Sequence, residues 1–141
     1  MIQDAVFTKL KTSSLILSTV STFQGQPAIF PDFAPEGKQY PYIVFIVYED
    51  TSDDEIIKEF TLEIHFFDNS QTGKLSRQIG TELRKLFIQA EFFDSNEYSS
   101  IRCWGRPFEM YDEKDPRQIH AIQEFEVRAC NKGWIDNLTG A

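Results

Sequence analysis

The stretch Ile29-Phe30-Pro31-Asp32-Phe33-Ala34-Pro35-Glu36-Gly37-Lys38-Gln39-Tyr40-Pro41-Tyr42-Ile43-Val44-Phe45 organises the chain. Three prolines and a glycine lie between a short apolar pair and a long apolar run. Proline fixes φ and pushes the residue before it toward extended backbone. A loop built this way is stiff. It crosses the surface in one shape and delivers the chain into a strand beginning near Tyr42. Proline-rich connectors of this kind occur in many domains, so the meaning of the loop rests on the segments around it.

Upstream, residues 1–22 read as helix. Ala5, Val6 and Leu10 recur at helical spacing, as do Leu15, Ile16 and Val20. Thr12, Ser13 and Ser14 interrupt the pattern, which predicts two short helices with a cap between them. Gln24-Gly25-Gln26-Pro27 ends this region. Downstream, Tyr42–Glu49 is rich in aromatic and β-branched residues on both faces, as suits a strand covered on both sides. Asp50–Asp54 is an acidic turn. Glu55–Phe67 then alternates: Ile56, Phe60, Leu62, Ile64 and Phe66 share the core face, and Glu59, Thr61, Glu63 and His65 share a mostly wet face.

Asp68-Asn69-Ser70 can cap a helix over residues 71–91, with Leu75, Ile79, Leu83, Leu86, Phe87 and Ala90 on one side. Residues 92–99 read as a loop. Ile101–Met110 and Ile119–Cys130 form a closing hairpin. With its turn near Lys114 and Asp115, Trp104 faces Phe125, Phe108 faces Ala121 and Met110 faces Ile119. The order α, β, β, α, β, β is met economically by one α+β domain: four main strands in a mixed or antiparallel sheet with the helices packed on a face. The expected domain covers residues 1–130, and 131–141 form a C-terminal tail carrying Trp134, Ile135 and Leu138.

The 141 residues suffice for one domain with one core. A net charge of −8 argues against nucleic-acid binding as the main task, because DNA phosphates would be repelled. The start, Met1-Ile2-Gln3-Asp4, lacks the basic opening of a signal peptide, and the longest apolar run is too short to cross a bilayer. The chain is therefore expected to be made and kept in cytoplasm, with no membrane partner. Cys103 and Cys130 fit no metal spacing. The register above sets them about four residues apart along the hairpin, on the order of 13 Å, so no disulfide is expected.

A search for chemistry finds little. Gly73-Lys74 opens a helix after a strand, but a phosphate-binding loop needs glycine where Asp68 stands and Ser or Thr where Leu75 stands. Glu59, Glu63 and His65 could converge on a metal, although a solvated strand face with a His–Glu pair is the commoner arrangement. His120 lacks an obvious partner. No catalytic residue, cofactor or metal is assigned. Phe60, Phe66, Phe87, Phe108 and Phe125 lie on apolar faces and read as core. Of the 13 phenylalanines, Phe30, Phe33, Phe92 and Phe93 fall in loops. A small core cannot hold every ring, and exposed aromatics mark partner interfaces.

The helix, the Pro-Gly-Pro loop leading into Pro41-Tyr42-Ile43-Val44, the two strands after it, and the final strand Gln123-Glu124-Phe125-Glu126-Val127-Arg128-Ala129 together resemble the small tail-completion, or tail terminator, proteins of long-tailed bacteriophages and prophages. The resemblance spans about residues 1–130 and is one of pattern, not of chemical signatures. It implies a structural, non-enzymatic subunit of a ring, typically hexameric, that caps the tail tube and joins tail to head. The implied partners are other copies of the chain, the tail-tube protein and the head–tail connector, with DNA passing unbound. The implied location is the virion tail. In such a ring Asp53, Asp54 and Glu55 would face the channel, with Asp112–Asp115 as the competing acidic tip, and Phe33, Phe92, Phe93 and Trp134 would make intersubunit contacts. The alternatives are a small cytoplasmic α+β binding or adaptor module, and an enzyme built on Glu63 and His65.

Overall fold

The computed structural model describes residues 2–49, 57–70, 72–88, 98–114 and 117–131. Chain order is α1 (Ile2–Lys11), α2 (Ser14–Thr19), β1 (Thr22–Phe23), β2 (Gln26–Pro27), β3 (Ile29–Pro31), β4 (Tyr42–Glu49), β5 (Ile57–Asp68), α3 (Lys74–Phe87), β6 (Tyr98–Gly105), β7 (Glu109–Lys114) and β8 (Arg117–Asn131). The fold is α+β, with the helices packed on one side of a mixed six-stranded sheet. The strands run β3-β4-β5-β8-β6, with β7 also paired to β8. Two strands beyond the four expected come from Ile29–Pro31 and from a break in the closing hairpin.

The helical start divides where the Thr-Ser-Ser run stands. Ser13 caps α2, its hydroxyl oxygen accepting from the Ile16 N–H at 3.2 Å. The same hydroxyl donates to Glu82 Oε1 at 2.8 Å, which ties α2 to α3. Val6, Leu10, Ile16 and Val20 are buried, as their spacing predicts. The chain then reverses through Gln24 (φ 51°) and Gly25 (φ 79°), the two positive-φ centres that a tight hairpin between β1 and β2 requires.

β3 pairs in parallel with β4, Ile29 opposite Ile43 and Pro31 opposite Phe45. The proline loop makes the connection between them. Ser21 pins its far end, donating its hydroxyl to Gln39 O at 2.6 Å and its N–H to Pro41 O at 2.8 Å. The Tyr40–Pro41 peptide is cis. Tyr42, Ile43, Val44 and Phe45 are all buried, so the first half of β4 is covered on both faces. Ile43 and Phe45 join the main core under the helices. Tyr42 and Val44 join a second, smaller cluster with Ala28, Phe30, Ala34 and Phe67.

Phe60, Leu62, Ile64 and Phe66 of β5 face the main core, as expected from their alternation. Ile79, Leu83 and Phe87 of α3 cover them, and Phe87 meets Phe125 of β8 with ring centroids 5.4 Å apart. The helix is shorter than the expected 71–91 and starts differently. Gly73 occupies its N-cap without a side-chain hydrogen bond. Asp68 is still in β5 opposite Ile119, and the Ser70 hydroxyl donates to its carboxylate, so neither is free to cap.

The closing hairpin departs from the expected register. Met110 lies opposite Ala121, Gly105 opposite Phe125 and Trp104 opposite Glu126. Two features cause the shift. The turn falls one position later, beyond the Lys114–Arg117 pair, and Arg106–Phe108 leaves the ladder between β6 and β7. Gln123 explains the break. This fully buried amide donates to Arg106 O at 2.6 Å and accepts from Arg84 Nη1 at 3.4 Å, so the backbone turns aside to satisfy it. A one-residue slip exchanges faces. Trp104 accordingly is 41% exposed, and Phe108, expected in the core, is half-buried at its margin. Cys103 now faces Val127 and Cys130 faces Ser99, an offset of three positions or about 10 Å instead of four.

Candidate functional site

The proline loop, β4, β5 and β8 build a cleft of about 380 Å³ on the sheet face away from the helices. Its lining includes Phe33, Lys38, Tyr42, His65, Phe67 and His120. The period of two along β5 and β8 sends His65, Phe67 and His120 to this face while Phe66 and Ala121 enter the core. A run of rings forms the floor. Tyr40 and Tyr42 have centroids 5.5 Å apart, Tyr42 and Phe67 4.8 Å, Phe67 and His120 4.3 Å, and His65 and His120 4.9 Å.

The two imidazoles join edge to edge. His65 Nδ1 lies 2.6 Å from His120 Nε2, and His65 Nε2 lies 2.5 Å from Glu63 Oε1. Glu113 Oε1 of β7 stands 3.6 Å from His120 Nδ1. The neutral tautomers follow from the partners. His65 donates from Nε2 to Glu63, its bare Nδ1 accepts from His120 Nε2–H, and the bare His120 Nδ1 faces Glu113. Burial, with a smaller contribution from His65, lowers the pKa of His120, against an opposing pull from Glu113 and Glu63. Gln118 extends the network, donating to Glu113 and accepting from the Tyr40 hydroxyl at 2.8 Å. Burial, the neighbouring Tyr40 and Glu113 raise the pKa of Tyr42.

Glu59, Glu63 and His65, weighed as a possible metal set against the commoner His–Glu pair on a strand face, form the pair and not the set. Glu59 turns to Arg128 of β8, Oε1 to Nη2 at 2.9 Å, and only Glu63 reaches His65. His120, expected to stand without a partner, is instead the centre of the cluster. The signal lay in strand pairing. With β5 antiparallel to β8, Phe67 faces His120, so His65 is its diagonal neighbour on the same face. Among the described residues, no group of three or more His, Cys, Asp or Glu is arranged to hold a metal, and no helix is long and apolar enough to cross a membrane.

Phe33 stands at the cleft rim with 75% of its surface exposed. Phe92, Phe93, Trp134 and the acidic run Asp53, Asp54 and Glu55 lie outside the described residues, as do Ile56, Ala90 and the tail beyond Asn131. The competing acidic tip is described in part, with Asp112 and Glu113 exposed on β7.

No protein-family model and no curated protein matches this chain. Solved structures do. A chain from the virion of a native gene transfer agent particle superposes with a TM-score of 0.71 at 13% identity, covering 92% of this chain and 94% of that one. A second solved chain, whose name carries no functional description, gives a TM-score of 0.50 at 12% identity, with 93% and 96% covered. At these identities the likeness is one of fold. It runs nearly end to end in both chains, so the α+β unit is shared whole and not as a fragment.

Proposed function

We propose that this chain is a structural component of a virus-like particle, a ring-forming tail terminator that caps the tail tube and joins it to the head connector. The near end-to-end fold likeness to a chain of a gene transfer agent virion carries this reading. The pattern resemblance over residues 1–130 supports it independently. The role is mechanical: surfaces bind neighbouring copies, the tube below and the connector above, and no catalytic step is assigned to the chain. Phe33, exposed at the cleft rim, is the described member of the intersubunit set, which also includes Phe92, Phe93 and Trp134. The tail from residue 131 belongs to the same contacts. Asp53, Asp54 and Glu55 face the channel and keep DNA from binding as it passes, since an acidic lining repels phosphates within a Debye length of about 8 Å.

Native mass spectrometry of the untagged protein, alone and with tail-tube protein from the same genome, tests the proposal. The expected result is a closed oligomer at an integral multiple, six being the leading value, of the 16.4 kDa chain mass. A chain that stays monomeric in both samples overturns it. The open aromatic cleft favours one second reading, a small α+β binding module. That reading predicts a monomer whose cleft takes a ligand.

A further inference from the structure

We infer that the His65–His120 pair is a labile site for a borderline divalent transition metal, such as Zn²⁺ or Cu²⁺, seated at the cleft floor between β5 and β8. The inference starts from the arrangement of nitrogens. His65 Nδ1 and His120 Nε2 face one another at 2.6 Å, the separation of a shared proton. Imidazole nitrogens bind these metals at about 2.0–2.1 Å, which puts two of them about 3.3–3.4 Å apart around a tetrahedral ion. Shifts of about 0.4 Å on each side, with each ring turning so that its lone pair aims at the ion and not at the other nitrogen, make that room. The metal then takes the place of the proton on His120 Nε2, and that proton passes to His120 Nδ1, beside Glu113, so both imidazoles stay neutral.

The outer nitrogens strengthen the case. Glu63 stands on His65 Nε2 at 2.5 Å, and Glu113 lies 3.6 Å from His120 Nδ1. A carboxylate behind each ligating imidazole fixes the ring orientation and raises its basicity, and metal-binding histidines nearly always have such a partner. Gln118 holds the Glu113 carboxylate from its other side. The two side chains are each only about one-seventh exposed, at 14% and 16%, so their geometry is set by packing against Phe67 and by each other. The open cleft beside them admits water to the remaining coordination positions. Lys38 and Asp32 also line it and balance each other in charge.

Two protein ligands make a weak site, consistent with the absence of any third described His, Cys, Asp or Glu in position. Zinc and copper fit because imidazole suits them, whereas magnesium and calcium take oxygen ligands. The inference stands whether or not the chain forms a ring.

Calorimetric titration of Zn²⁺ into untagged full-length protein in a non-coordinating buffer tests it. One ion per chain is expected, with magnesium giving no heat. His65→Gln and His120→Gln should each abolish binding. Glu63→Gln should weaken it by about 10- to 100-fold while leaving the fold intact. Because a histidine variant can disturb packing, nitrogen-15 imidazole spectra of the unaltered protein supply a second readout. Zinc should move His65 Nδ1 and His120 Nε2, convert His120 Nδ1 from bare to protonated beside Glu113, and leave His65 Nε2 on Glu63. No binding up to about 1 mM metal overturns the inference, as do unchanged imidazole resonances on saturation or full binding by both histidine variants.

Discussion

Replacing Gly80 by alanine sets two effects of opposite sign against each other. Gly80 lies inside α3, where alanine is favoured over glycine by about 1 kcal/mol. A Cβ added there would lie 2.6 Å from Cε2 and 2.8 Å from Cδ2 of Phe108, closer than real Cβ atoms come to anything. Relief requires the Phe108 ring to move, yet that ring packs on the main core beside the break between β6 and β7. Overpacking of this kind costs about 1–3 kcal/mol. Steric cost therefore outweighs propensity, and Gly80→Ala should destabilise the protein by about 1 kcal/mol, lowering the melting temperature by roughly 3 °C. In a Phe108→Ala background the obstacle is gone, and the same substitution should stabilise by about 1 kcal/mol. The two backgrounds thus differ by a coupling of about 2 kcal/mol, within the range for residues in contact. Urea denaturation of the four proteins measures it. If Gly80→Ala stabilises the unaltered protein, or acts equally in both backgrounds, the close packing of α3 on Phe108 is wrong.

Phe125 is fully buried against Phe87, so Phe125→Ala should cost about 3–5 kcal/mol in chemical denaturation and shift the midpoint without changing the slope much. The Ser76 hydroxyl is buried and has no hydrogen-bond partner among the described residues, so Ser76→Ala should leave stability unchanged or raise it by up to about 1 kcal/mol. Burial pushes the Cys103 thiol up to about 12. Thiolate is the reactive form, so alkylation of Cys103 in the folded protein should be far slower at pH 8 than in urea, rising as pH approaches that value; rapid reaction without denaturant would contradict its placement. Changing Asp53, Asp54 and Glu55 together to lysine should spare assembly but impede DNA passage, and full infectivity of the altered particle would remove the channel role.

The sequence spoke clearly where one face of an element is dry. The alternation Phe60-Leu62-Ile64-Phe66 and the stripe Ile79-Leu83-Phe87 marked β5 and α3, and the apolar residues on both faces of Tyr42–Glu49 marked a double coverage that holds over its first half, Tyr42–Phe45, while Tyr48 and Glu49 are exposed. The Thr-Ser-Ser run marked the break between α1 and α2 because serine competes for helix ends. β3 was illegible, since a three-residue strand beside two prolines carries no periodicity. The hairpin register was lost for a different reason: the break at Arg106–Phe108 depends on Gln123 reaching a carbonyl across the sheet, which no local pattern encodes. The cluster at the cleft was half visible. His65 and Glu63 share a strand face, but His120 joins them only through pairing of β5 with β8 over a separation of 55 residues.

The central claim is that the chain works as a ring on a tube. Cryo-electron microscopy of the untagged protein mixed with tail-tube protein from the same genome tests it most directly. The account predicts tubes of defined ends, each closed by a ring of this chain with Phe33 at a subunit boundary. Bare tube ends, with this chain left unassembled in solution, would contradict it.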